Sequence, residues 1–189
     1  MALFPLGILS AAGAGGAVGD YELIETRILT GFQSAITFSN LGNFSTTYKH
    51  LQIRMVARDD RAVDINNIFF TFNGDTGANY SYHLLAGTGS SVISDSGVSQ
   101  TFGAAGTSLG TSGIANSFAP SVFDILDPFS TTKNKTTRAL TGVNSSASQI
   151  RIWSSSHRST ASLTSINLFP SGSSSFIAGS RFSLYGIRG

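Results

Sequence analysis

The chain has 189 residues, of which 41% are hydrophobic and only 12% are charged, and its formal net charge is +2. It contains no cysteine, which excludes a disulfide framework, a thiolate metal site and a cysteine nucleophile. The charged fraction is about half of the usual ~25%, and the basic residues are scattered along the chain, so the composition argues against a nucleic-acid-binding protein.

The first 19 residues carry no charged side chain and are rich in Ala and Gly. A short apolar run near the start contains Leu3, Phe4, Leu6, Ile8 and Leu9. A secretory signal peptide is one alternative, but no Lys or Arg precedes the run and Pro5 interrupts it. The run is also far shorter than the ~20 residues of a membrane span. We therefore expect an extended apolar N-terminal arm, joined by an Ala/Gly tether over residues 11–19 and covered by a partner.

From residue 20 onward, short apolar segments are separated by Gly, Ser, Asn and Pro clusters. In residues 48–58 (YKHLQIRMVAR), apolar and polar side chains alternate as in a half-buried strand. The predicted strands cover residues 21–28, 35–38, 48–58, 68–72, 80–85, 122–126, 136–140, 149–153, 165–169 and 181–187. Ten short strands without a long amphipathic helix predict an all-β fold, a single antiparallel, jelly-roll-like β-sandwich over residues 20–189.

Residues 97–118 (GVSQTFGAAGTSLGTSGIANSF) interrupt the strand pattern because they are rich in Gly, Ala, Ser and Thr. The segment predicts a long loop that leaves the sandwich. Loops of this length in a small domain are usually functional or ordered by a partner. We therefore expect this loop to contact neighbouring molecules.

Asp75-Thr76-Gly77 resembles the Asp-Thr-Gly signature of aspartic proteases, which needs two such aspartates to share a proton. Here Asn73-Gly74 precedes the aspartate and no second copy of the signature exists, so Asp75 is predicted to be a turn residue. The three histidines have no partners at metal-ligand spacing. We predict no catalytic residue, no metal site and no cofactor.

The chain has 14 Phe, 5 Tyr and 1 Trp, most of them in predicted strands, where core packing explains them. Three aromatic residues near strand ends could instead stack against a sugar: Tyr80, Tyr82 and Trp153. These residues are the predicted contacts of an alternative function, a glycan-binding adhesin.

Three blocks, taken in order, resemble a family of small virion structural proteins of tailed bacteriophages, of the minor tail or head-decoration type. The blocks are residues 48–58 (YKHLQIRMVAR), 72–83 (FNGDTGANYSYH) and 179–186 (GSRFSLYG). The connecting residues 124–142 and the apolar leader are also similar to that family. The resemblance implies a β-sandwich building block of the particle and brings no catalytic residue to this chain.

We therefore expect a structural component of a tailed-bacteriophage virion, not an enzyme, which is attached through its N-terminal arm and decorates or cements the capsid, tail or baseplate. The glycan-binding adhesin stays open as the alternative. The expected partners are other virion subunits and further copies of the chain, with a trimer as the predicted oligomer because closed rings are common in such assemblies. The expected location is the virion, after assembly in the bacterial host cytoplasm.

Overall fold

The computed structural model describes residues 20–189. The predicted N-terminal arm, with Leu3, Phe4, Leu6, Ile8 and Leu9, lies outside the described residues. Within them the chain forms twelve β-strands and one short 3₁₀ helix at Leu41–Phe44. The strands are β1 (Tyr21–Ile28), β2 (Ile36–Phe38), β3 (His50–Ala57), β4 (Ile65–Phe72), β5 (Tyr80–Gly87), β6 (Val92–Gln100), β7 (Gly103–Leu109), β8 (Ala119–Leu126), β9 (Lys135–Val143), β10 (Gln149–His157), β11 (Ile166–Pro170) and β12 (Arg181–Ile187).

The strands form two sheets that pack face to face. The larger sheet has eight strands in the order β1-β12-β3-β8-β9-β10-β5-β6, and the smaller has four in the order β2-β11-β4-β7. Neighbouring strands are antiparallel throughout both sheets. The predicted all-β, antiparallel β-sandwich is confirmed.

The core lies between the two sheets and follows from side-chain alternation along the strands. In β9 every second residue is buried, and β3 buries Leu51, Ile53 and Met55 as its sequence pattern predicts. β4 has apolar residues on both faces. Its Phe70 packs against Phe123 of the opposite sheet, with 5.1 Å between the ring centroids. Aromatic pairs at such distances fill the space between two sheets.

The prediction of a long loop over residues 97–118 is wrong. β6 ends at Gln100 within this segment, and β7 occupies Gly103–Leu109 with all seven residues buried. Within this segment only residues 101–102 and 110–118 lie outside strands, so β7 is not available for the contacts with neighbouring molecules that we expected there.

The small side chains of β7 are required because side chains of the adjacent strand β4 and of the larger sheet both come very close to its backbone. A Cβ atom at Gly103 would lie 2.3 Å from Phe70 Cζ, and one at Gly106 would lie 2.7 Å from Ser121 Oγ. The hydroxyl of Ser155 also donates to the Ala104 carbonyl at 3.2 Å and accepts from its N–H at 3.1 Å. A Gly/Ala/Ser/Thr composition, which is typical of loops, is here the composition of a tightly packed strand.

A search of residues 20–189 found no helix that is long and apolar enough to cross a membrane.

Candidate functional site

The aromatic residues predicted to contact a glycan lie on the inner face of the larger sheet. Tyr80 is 0% exposed and Trp153 is 1% exposed, while Tyr82 is half-buried and packs edge-on against Trp153 at 5.8 Å between ring centroids. Strand alternation along β5 and β10 directs all three toward the core. The glycan-contact prediction is therefore wrong for Tyr80 and Trp153, because neither has surface to offer to a sugar.

Asp75 lies in a tight turn after β4, as predicted. Asn73 and Gly74 have positive φ angles of 53° and 69°, and the Asp75 N–H donates to the Phe72 carbonyl at 2.8 Å. The Asp75 Oδ1 atom accepts from the Gly77 N–H at 2.8 Å, which is a side-chain turn of the kind that aspartate favours. The Asp-Thr-Gly sequence is thus used for local geometry.

The structure adds a partner for Asp75 that sequence reasoning missed. The buried imidazole of His157, at the end of β10, places Nε2 2.7 Å from Asp75 Oδ2, which also accepts from Asn79 Nδ2 at 2.9 Å. A carboxylate only accepts, so Nε2 carries the proton. These bonds, above all the one from His157, lower the pKa of Asp75 to about 2. The two residues are 82 positions apart, and no local sequence signal joins them.

Tyr80 completes this cluster. Its ring stacks on the His157 ring at 4.4 Å between centroids, and its hydroxyl donates to the Asp75 carbonyl at 3.0 Å while it accepts from the Phe72 N–H at 3.0 Å. Burial is the main cause that raises the pKa of Tyr80 to about 12. The cluster joins β4, β5 and β10 at one end of the sandwich.

The contacts of the cluster connect three parts of the fold, which are the turn after β4, the start of β5 and the end of β10. Catalysis by a His–Asp pair requires a nucleophile or a substrate within reach of the imidazole, and a cleft to hold that substrate. Asp75 and His157 line none of the five main clefts on the described part of the chain. Among residues 20–189, no group of three or more His, Asp or Glu side chains is placed to hold a metal ion.

The outer face of the larger sheet, which the smaller sheet does not cover, has a different character. Direct cross-strand pairing joins Val122 of β8 to Leu140 of β9, Leu140 to Ile152 of β10, and Ile152 to Leu85 of β5. These four side chains, which we call the apolar band, are 36%, 51%, 48% and 55% exposed in that order. Cross-strand partners on one face lie about 5 Å apart, so the band is continuous across four strands.

Apolar surface continues beside the band, toward one end of the strands. Ile150, which is 64% exposed, pairs with Gly87 of β5 and Gly142 of β9. With Pro120 and Phe118, these residues line a cleft of about 660 Å³. A second cleft, of about 350 Å³, opens beside Val122 and Leu140 of the band.

A row of hydrogen-bonded polar side chains borders the band on its other side. The Tyr21 hydroxyl donates to Gln52 Oε1 at 2.6 Å, Gln52 Nε2 donates to Asp124 Oδ1 at 2.7 Å, and Arg138 Nη2 donates to Asp124 Oδ2 at 2.8 Å. This polar row runs parallel to the band across the same face. An apolar centre with a polar border is the usual anatomy of a protein–protein contact surface.

None of the four residues of the apolar band was predicted from the sequence to be a site residue. Their strands were predicted, but which apolar side chains share a row depends on the register of four strands that are far apart in sequence. One signal was available: in residues 122–126 (VFDIL) and 149–153 (QIRIW), apolar residues occur on both faces of the strand, which a strand with a solvated outer face does not need.

Comparisons with protein-family models, with curated proteins and with solved structures found no match to this chain.

Proposed function

We propose that this chain is a structural component of a tailed-bacteriophage virion that acts by assembly and not by catalysis. In this proposal it decorates or cements the capsid, tail or baseplate, and the apolar band and the N-terminal arm are its two contact surfaces. The observation that carries the proposal is the apolar band, a row of four large aliphatic side chains left in solvent on a rigid sheet. The virion context is supported by the three residue blocks similar to phage structural proteins.

The apolar band offers a substantial driving force for contact. Full burial of a Val, Leu or Ile side chain contributes about 1.5–3 kcal/mol, so covering four half-exposed ones contributes about 4 kcal/mol. A stable interface also needs roughly 800 Å² on each partner, which the adjoining apolar cleft and the polar row can supply. The sheet is already ordered, so little conformational entropy is lost when a partner binds.

The remaining features of the chain favour assembly over the two alternatives. The Asp75 carboxylate accepts hydrogen bonds from His157, Asn79 and the Gly77 N–H, and its pKa of about 2 makes it a weak proton acceptor for a substrate. The glycan-binding alternative loses Tyr80 and Trp153 to the core. A charge-poor surface suits association with copies of the same chain, and a closed trimer is the oligomer that we propose.

Incorporation into particles tests this proposal with a matched pair of variants on one strand. Ile152→Asp puts a charge in the apolar band, whereas Ser154→Asp puts the same charge on the same face, outside the band and also exposed. The variant chain replaces the native one during phage growth, and its copies per purified particle are measured by quantitative mass spectrometry. We expect a loss of roughly ten-fold or more for Ile152→Asp, because a buried unpaired charge costs several kcal/mol, and near-normal incorporation for Ser154→Asp.

Circular dichroism and thermal unfolding of both purified variants separate a loss of assembly from a loss of folding. Absence of the native chain from purified particles would refute the virion role. Equal incorporation of the two variants would show that the apolar band is not a contact surface.

A further inference from the structure

The apolar band is a short row of side chains that runs across the strands of the larger sheet. From Val122 to Leu85 it crosses three strand spacings, or about 14 Å. Its axis runs across the strands, on a sheet face where every backbone N–H and C=O group points sideways to a neighbouring strand. An occupant of the band therefore finds aliphatic surface and no backbone hydrogen bonds.

The N-terminal arm has side chains that match this surface. In an extended segment, residues i, i+2 and i+4 share one side, so Phe4, Leu6 and Ile8 would lie together with about 13 Å between the first and the last. That length is close to the ~14 Å of the band. Pro5 lacks an N–H, which excludes the arm from a central position in a sheet but costs nothing on a sheet face. The arm, like the band, carries no charged side chain.

The connecting residues are long enough for the arm to reach its own band. Tyr21 aligns with His50 across β12, and Val122 aligns with Arg54, four residues further along β3. With three strand spacings between β1 and β8, the distance from Tyr21 to Val122 is about 19 Å. Ten residues of polypeptide span about 17 Å on average as a random coil and about 33 Å when fully extended, so the number of residues between 10 and 19 is sufficient. The linker is therefore long enough to place the arm on the apolar band of its own chain.

We infer that, in the free chain, the Phe4, Leu6 and Ile8 side chains cover the apolar band of their own sheet. Ile8 lies toward Val122, where the tether arrives, and Phe4 lies toward Leu85. Each of the two apolar surfaces thereby shields the other from water. The inference concerns the isolated chain and does not depend on the virion role, although a partner that displaces the arm would expose both surfaces at the moment of assembly.

Effective concentration decides between the arm and a second copy as the occupant. A linker of about ten residues gives the arm an effective concentration in the mM range near the band of its own chain. A second copy at a total concentration of about 1 μM competes at a disadvantage of about 10³-fold for the same surface. The arm of the same molecule is therefore the occupant under dilute conditions.

Engineered disulfides test the inference directly, because the full chain has no cysteine of its own. The test variant combines Leu6→Cys with Ile152→Cys in the middle of the band. The control combines Leu6→Cys with Thr37→Cys, an exposed strand residue of the smaller sheet. Both full-length variants are oxidised mildly at about 1 μM. The intramolecular disulfide is followed by loss of free thiol, intact mass and mobility on non-reducing gels.

We expect the band variant to close its intramolecular disulfide roughly ten-fold faster than the control, because the arm spends most of its time on the band. Adding Phe4→Asp and Ile8→Asp should remove this advantage, whereas Ala12→Asp and Ala14→Asp in the tether should preserve it. Equal rates for the two cysteine pairs would overturn the inference. Disulfide-linked dimers in place of closed monomers would also overturn it, by identifying a second copy as the occupant.

Discussion

The contact between Asp75 and His157 gives the sharpest quantitative prediction for this protein. Asp75→Asn keeps the shape of the side chain and an oxygen that can still accept from His157 Nε2, but it removes the negative charge. If the Asp75–His157 contact stabilises the fold through the charge of Asp75, the variant should fold to the same structure and lose stability in a pH-dependent way.

The size of the effect follows from the pKa of Asp75, which falls from 3.8 to about 2 in the folded chain. A difference of nearly two pKa units corresponds to roughly 2–3 kcal/mol at neutral pH, at 1.36 kcal/mol per unit. The Asp75 side chain is 27% exposed, so solvent screening reduces this contribution. We expect Asp75→Asn to lower the free energy of unfolding by about 1–2 kcal/mol at pH 7.

The pH dependence has a defined sign. The folded-state pKa is below the unfolded one, so the stabilisation is complete above about pH 5, declines below the unfolded-state pKa of 3.8 and is lost as the pH falls through about 2. The difference in unfolding free energy between the native chain and Asp75→Asn should therefore be constant from pH 7 to about 5 and should shrink toward zero near pH 2.

Guanidinium chloride unfolding, followed by circular dichroism at a series of pH values, measures this difference. Asp95→Asn, which changes an exposed carboxylate on β6 that has no imidazole partner, is the matched control and should be close to neutral. Two results would refute the proposal that the charge of Asp75 stabilises the fold. One is an Asp75→Asn variant that is as stable as the native chain at pH 7, and the other is a difference in unfolding free energy that stays constant down to pH 2.

Two further predictions concern the core. Gly103→Ala should destabilise the fold by about 1–3 kcal/mol, because its Cβ would lie 2.3 Å from Phe70 Cζ in a packed interior, while Gly142→Ala, with nothing within 4 Å, should change stability by less than about 1 kcal/mol. Urea unfolding compares the two, and equal effects would contradict the close packing of β7. Trp153→Ala should cost about 3–5 kcal/mol, since Trp153 is 1% exposed and one of the largest core side chains. Thermal unfolding measures this loss, and an unchanged melting temperature would show that the residue is not buried.

Much of the fold could be predicted from local pattern. β1 and β12 begin and end where the sequence predicts, because alternation and flanking turn residues define both strands within a few positions. β7 could not be predicted, since its Gly, Ala, Ser and Thr residues have no apolar period, and only the close approach of Phe70 and Ser121 explains them. Local pattern reports which residues prefer a strand, but not how closely side chains of the neighbouring strand and of the opposite sheet will approach it.

The residues of the candidate site were harder to predict from the sequence than the strands were. An all-β sandwich, a charge-poor chain without cysteine, an apolar N-terminal run and a turn at Asp75 could all be read from the amino-acid sequence. The folded chain was needed to show that Trp153 is in the core, that His157 contacts Asp75, and that Leu140 and Ile152 lie side by side in solvent. These contacts depend on register, because side chains alternate along a strand with a period of two and a shift by one residue would exchange the faces on which they lie.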